Sequence, residues 1–83
     1  VSAVDDLARL VSAAREGDDR AAGELVRRTQ PAVWRLCSLL GSRGEEEDLV
    51  QEVYARALRG LGSLRTDDAV VPWLLRIARH VCA

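Results

Sequence analysis

Apolar and polar positions separate at helical spacing along most of the chain, and four helices follow from that pattern. In the first, Val4, Leu7, Ala8, Val11 and Ala14 repeat at three and four, Ser2 is placed to cap, and Asp5 and Asp6 occupy the first turn. Gly17 supplies a stop. Asp18 and Asp19 cap a second helix running towards Leu40, with a stripe of Ala22, Leu25, Val26, Val33, Leu36, Cys37 and Leu40. Pro31 interrupts it. The stripe stays in phase across the proline, which predicts a kink there and not a break. Trp34 is expected in the core or at its edge.

Gly41-Ser42-Arg43-Gly44 reads as a loop. The third helix lies in the stretch Glu45 to Leu61, starting at its acidic cluster and ending near Gly60 and Gly62. At 100° per residue, Leu49, Val50, Val53, Tyr54, Ala57 and Leu61 share one face. Asp48, Gln51, Glu52, Ala55, Arg56 and Arg59 share the opposite one. Ser63 to Ala69 is a polar loop. The last helix begins near Val70 or Val71, with Pro72 in its first turn, and runs through Trp73, Leu74, Ile77, Ala78 and Val81. No strand-like alternation occurs. The expected fold is all-α, a compact bundle of four helices with the second kinked near Pro31.

With 83 residues, one small core is all the chain can build, and a two-domain enzyme with an intervening cleft is excluded. Hydrophobic residues make up 48% of the chain, too many for a disordered one. The net charge of −1 is unevenly spread. Residues 1–52 hold seven arginines against eleven acidic residues, and residues 53–83 hold five against two. An acidic front and a basic back predict two different partners. Every cationic residue is arginine, a choice that suits carboxylate, phosphate and base edges and that genomic base composition explains equally well.

Candidate chemistry is sparse. Cys37 and Cys82 lie in apolar surroundings and read as small buried hydrophobes; neither they nor the single His80 fits a metal-ligand spacing. No phosphate loop or hydrolase motif is present, and neither an enzyme nor a cofactor is expected. No signal peptide or membrane-spanning run appears, so the expected location is cytoplasmic, away from the membrane. Glu45, Glu46 and Glu47 are accounted for by the helix dipole. Asp48, Gln51 and Glu52 form a compact acceptor patch, extended by Arg56 and Arg59. Charge pattern alone leaves a solvated face and a docking strip equally open. Trp73, Arg76 and His80 follow i, i+3, i+7, with Arg79 beside them. A stacking aromatic next to forked cations suits single-stranded nucleic acid, and core packing beside Leu74, Ile77 and Val81 explains Trp73 as simply. The loop Leu64-Arg65-Thr66-Asp67-Asp68 could hold the edge of an unstacked base.

Taken together, Asp48-Leu49-Val50-Gln51-Glu52-Val53-Tyr54, Arg56-Ala57-Leu58-Arg59 and Trp73-Leu74-Leu75-Arg76-Ile77-Ala78-Arg79 resemble region 2 of bacterial extracytoplasmic-function sigma factors. Ala13-Ala14-Arg15-Glu16-Gly17-Asp18, with Ala21, Leu25 and Val26, is similar to that family's opening helices. The resemblance implies a domain that binds core RNA polymerase at the clamp helices of its beta-prime subunit through Asp48, Gln51, Glu52, Arg56 and Arg59. It also implies recognition and melting of the promoter minus-ten element. Leu64, Arg65, Thr66, Asp67, Trp73, Arg76, Arg79 and His80 would then hold the non-template strand. An anti-sigma protein is a further implied partner. The family often has aromatics where Leu64 and Val70 stand, a polar residue for Pro72 and Asn for His80, so an altered minus-ten preference or weak melting is expected. Residues 1–83 are expected to be the region-2 fragment of a longer parent. The last helix reaches Ala83 without a stop signal, and a region-4 DNA-binding domain would follow it. The rival readings are a sigma-like interaction module without DNA binding and a duplex-binding helix-turn-helix domain, the latter disfavoured by the acidic balance.

Overall fold

A computed structural model describes residues 3–82, which form α1 (Ala3–Arg15), α2 (Asp19–Leu40), α3 (Glu46–Arg59) and α4 (Val70–Cys82). The expected cap at Ser2 and the end of the last helix at Ala83 lie outside the described residues. Two single 3-10 turns follow α3: Leu61–Ser63, which ends where the expected polar loop, Ser63 to Ala69, begins, and Asp67–Ala69 within that loop. No strand occurs among the described residues. The fold is the all-α bundle the periodicity predicts.

The helix ends follow from a few residues. At Gly17, with φ +97°, the Asp18 N–H donates to the Ala13 carbonyl and the Gly17 N–H to that of Ala14. That is a Schellman ending, and its left-handed residue favours glycine. Asp18 then caps α2, its carboxylate accepting from the Arg20 and Ala21 N–H groups at 3.0 and 3.1 Å. Gly41 closes α2, donating its N–H to the Cys37 carbonyl. A side chain there would collide with Leu49 Cδ1, so Gly41 also sets how closely α3 can approach. Pro31 lies exposed within an unbroken α2.

The core differs in detail from the predicted stripe. On α2 the buried residues are Ala21, Leu25, Thr29, Val33 and Cys37. Ala21 replaces Ala22, Leu40 is exposed, and Trp34 faces outward at 42% exposure. Leu40 and Trp34 fall outside the row of residues four apart that meets the other helices. Thr29 escapes an apolar-stripe search because it is polar, yet its burial is fully satisfied. Its hydroxyl donates to the Leu25 carbonyl at 2.8 Å and accepts from the Tyr54 hydroxyl at 2.6 Å, joining α2 to α3. Val11 of α1, Val50, Val53 and Ala57 of α3, and Val70, Leu74 and Ala78 of α4 complete the interior. With no Phe or Met in the chain, the core is built mainly of small and branched side chains.

Cys37 and Cys82 are both buried, as their apolar surroundings predict, but they also meet. The Cys82 thiol donates to the Cys37 sulfur at 3.3 Å, linking α2 to α4. Burial first, and then this contact, push the Cys37 thiol up from 9.0 to about 12. Burial likewise raises Tyr54, partly opposed by its bond to Thr29.

Two outcomes follow for stability. Thr29→Val leaves the buried Tyr54 hydroxyl without its acceptor and should cost about 1–3 kcal/mol, whereas Tyr54→Phe, which leaves Thr29 bonded to Leu25, should cost about 1 kcal/mol. Urea unfolding of the two variants checks the order. A thiol whose folded pKa is raised contributes its full stabilisation below 9.0 and loses it as pH rises through about 12. Urea midpoints should therefore fall above pH 9, and Cys37→Ala should make that fall shallower.

Candidate functional site

α3 carries one candidate surface. The Gly44 N–H donates to Glu46 Oε1 at 2.9 Å, the Leu49 N–H to the Glu45 carbonyl, and Glu46, Glu47 and Asp48 fill the first turn. Arg56 and Arg59 lie in the last turn, where cations favour the negative end of the dipole. Inward, Val50, Val53, Tyr54 and Ala57 are buried; outward, Asp48, Gln51, Glu52, Arg56 and Arg59 are all exposed. The predicted strip is thus brought together on one helix face. Glu52 accepts from Arg56 Nε at 2.8 Å, and this bond is the main cause holding its carboxyl below the usual carboxylate range. Asp48 and Gln51, in contrast, make no side-chain hydrogen bond within the described residues. Leu58, about half exposed, borders the strip beside Gln51 and was not singled out by charge pattern.

The second surface is a pocket of about 300 Å³ where the α3–α4 connection meets α4. It is lined by Ser63, Leu64, Arg65, Ala69, Pro72, Trp73 and Arg76. Its floor belongs to the core: Leu64 is only 5% exposed and, like Leu61, packs inward. Trp73 is half-buried, packed against the core and close to Gly60. The Ser63 hydroxyl donates to the Gly60 carbonyl at 2.7 Å and so shapes the first 3-10 turn. The Arg65 and Arg76 side chains are exposed, with no ion-pair partner among the described residues. A half-buried indole and two unpaired guanidiniums around one concavity can stack a flat ring and take up phosphate charge.

Of the residues expected at a nucleic-acid site, Leu64, Arg65, Trp73 and Arg76 line this pocket. Leu64 does so from a buried position, so its side chain offers little surface to a ligand. His80 continues the Trp73 and Arg76 row along α4, exposed, one turn beyond the pocket. Arg79 points elsewhere, into a groove with Ala32, Arg35, Leu36, Leu39 and Leu75. Asp67 is turned towards α1, where Arg15 Nε lies 3.3 Å from its carboxylate. Thr66 is exposed, and its carbonyl accepts from Ala69. Ser63 was not expected at the site; Ala69 closes the loop expected there, and Pro72, expected only as a departure from the family, also lines the pocket. No three His, Cys, Asp or Glu side chains among the described residues are grouped to hold a metal ion. Among the described residues, no helix is long and apolar enough to cross a membrane.

Residues 25–83 match the model of sigma-70 region 2. The chain belongs to the sigma-70 region 2 family, in its extracytoplasmic-function branch. It is similar to the probable RNA polymerase sigma-C factor of Mycobacterium bovis, with 37% identity over 89% of this chain and 40% of that protein. It is also similar to the ECF RNA polymerase sigma-E factor of Escherichia coli, with 42% identity over 83% of this chain and 36% of that protein. The chain therefore spans about two fifths of the length of these relatives. No solved structure matches it. Both surfaces of this region-2 domain fall inside the matched residues, whereas α1 lies wholly before them.

The family's frequent aromatics at positions 64 and 70 can now be weighed against this geometry. Leu64 and Val70 are 5% and 1% exposed, so both fill the core. Their aliphatic character bears on packing, and the pocket keeps its own aromatic in Trp73.

Proposed function

We propose that this region-2 domain serves a sigma factor in transcription initiation, without catalysis of its own, by docking on core RNA polymerase and holding an unpaired base of the promoter minus-ten element. Family membership supports the general role. The pocket that gathers Leu64, Arg65, Trp73 and Arg76 carries the nucleic-acid reading, because these are residues the sequence motif and loop single out independently. In this reading Trp73 stacks on a base of the non-template strand, Arg65 and Arg76 meet its phosphates, and His80 reaches the next nucleotide. The strip of Asp48, Gln51 and Glu52 presents acceptors to arginines of the beta-prime clamp helices. Arg56 is committed to Glu52 and orients it.

A second reading, an interaction module without DNA binding, is supported by Leu39, 76% exposed, together with exposed Leu40 and Leu58. Exposed leucines of this size favour a protein partner. The two readings separate on DNA: the module would bind the clamp helices and ignore single strands.

For docking, Glu52→Ala and Gln51→Ala should each weaken binding to a clamp-helix fragment by about tenfold, the scale of a well-placed polar contact in an interface core. Unchanged affinity in both variants would remove α3 from the docking surface. For DNA, in a Trp34→Phe background, single-stranded minus-ten DNA should change Trp73 fluorescence, and Trp73→Ala should lower affinity by about 5- to 150-fold, as for loss of one base–aromatic stack. Arg65→Ala and Arg76→Ala should each reduce the salt dependence of binding by about 0.7 in the log–log slope. A slope unaltered in both would place the phosphates elsewhere.

A further inference from the structure

The segment that shapes the pocket has two single 3-10 turns of its own and an extended stretch between them. Between the two 3-10 turns, Leu64 and Thr66 are extended, at φ −68°, ψ 124° and φ −135°, ψ 141°. An extended stretch of this length, without a neighbouring strand, is held only by what its backbone and side chains meet. The Leu64 side chain is anchored in the core. The segment's long-range polar contacts both come from one residue far away in sequence. The Arg15 guanidinium donates to the Leu64 carbonyl through Nη2, and its Nε lies 3.3 Å from the Asp67 carboxylate. Both side chains of the ion pair are about one third exposed, so the contact is partly shielded from water. Arg65, which lines the pocket, sits between the two anchored positions.

We propose that Arg15 is a positioning residue for the nucleic-acid pocket: its planar guanidinium grips the connection at Leu64 and Asp67 and so fixes where Arg65 and the pocket rim stand. This rests on the nucleic-acid reading of the pocket given above. The fork geometry suits the task, since one rigid group reaches two acceptors at once. The helix that bears it is itself held firmly. Val11, one turn earlier, is fully buried, and the Gly17 ending locks the turn that follows. α1 also packs on the Asp67–Ala69 turn. The contact reaches into the site from outside residues 25–83, so α1 becomes part of the pocket's architecture without touching the ligand.

Amide hydrogen exchange and DNA binding test this on the whole chain, with Arg9→Ala as the control. Arg9 is on the same helix and, among the described residues, pairs with Asp6 on the surface. Arg15→Ala should speed exchange at residues 64–69 by about tenfold or more, leave residues 46–59 at the Arg9→Ala level, and weaken binding of a short single-stranded minus-ten oligonucleotide by about tenfold. Binding to the clamp-helix fragment should stay unchanged, which a general loss of structure would not allow. Exchange that is unaltered at 64–69, or raised equally throughout, would overturn the positioning role. So would a loss of DNA affinity no greater than that of Arg9→Ala. If the unaltered chain fails to bind the oligonucleotide, the nucleic-acid reading falls, while the exchange comparison still decides whether Arg15 orders the connection.

Discussion

The structure depends on a single row of side chains along α2. Ala21, Leu25, Thr29, Val33 and Cys37 recur every four residues. Four residues turn a helix through about 400°, so each step advances the row by about 40° and the whole row sweeps about 160° around the helix. One row can therefore face three neighbours in succession. Near its start, Ala21 borders the groove shared with Leu10 and Ala13 of α1. At its middle, Thr29 bonds to Tyr54 of α3. At its end, Cys37 meets Cys82 of α4. α1, α3 and α4 each pack on α2, with the candidate surfaces on α3 and at the start of α4, and with Arg15 of α1 set against the connection between them.

This geometry explains which parts of the fold were legible in the sequence. Helix ends were readable because their signals are local: Gly17 and Asp18 around the first connection, Gly41 after α2, and Gly60 after α3. The face of α3 was readable because its apolar residues separate sharply from Asp48, Gln51, Glu52, Arg56 and Arg59. The α2 stripe was only half readable. A search for apolar residues at mixed three- and four-residue spacing gathers Ala22 and Leu40, which lie off the working row, and passes over Thr29, whose polarity is neutralised by a partner 25 residues away. Polarity in sequence and burial in structure diverge wherever a hydroxyl finds its bond in another helix.

The same divide runs through the candidate site. Trp73 and Arg76 could be paired from helical spacing, and Arg65 from its place in a short polar loop. That the connection would fold into two 3-10 turns, bury Leu64 and turn Asp67 towards α1 could not. Two of those residues, Leu64 and Asp67, meet Arg15, which lies 49 residues from Leu64 and whose local surroundings read only as the end of a helix. Cys37 and Cys82 show the same limit. Each was identified correctly as a buried hydrophobe, while their contact across 45 residues left no trace in spacing.

The two candidate surfaces also differ in how their charge is managed, and the difference bears on what each can bind. On α3, Glu52 has an internal partner in Arg56, so that part of the strip is already ordered and partly neutralised before anything docks. A partner there meets a preset surface and loses little freedom in ordering it. At the pocket, Arg65 and Arg76 form no ion pair among the described residues, and the nearby Asp67 is paired with Arg15. Two like charges around one concavity repel each other to the extent that water and salt leave unscreened, and a bound anion lowers that repulsion further. Arg15 thus acts twice in the electrostatics of the connection. It holds the backbone through Leu64, and by pairing with Asp67 it engages one of the two acids, Asp67 and Asp68, that follow Arg65 in the connection.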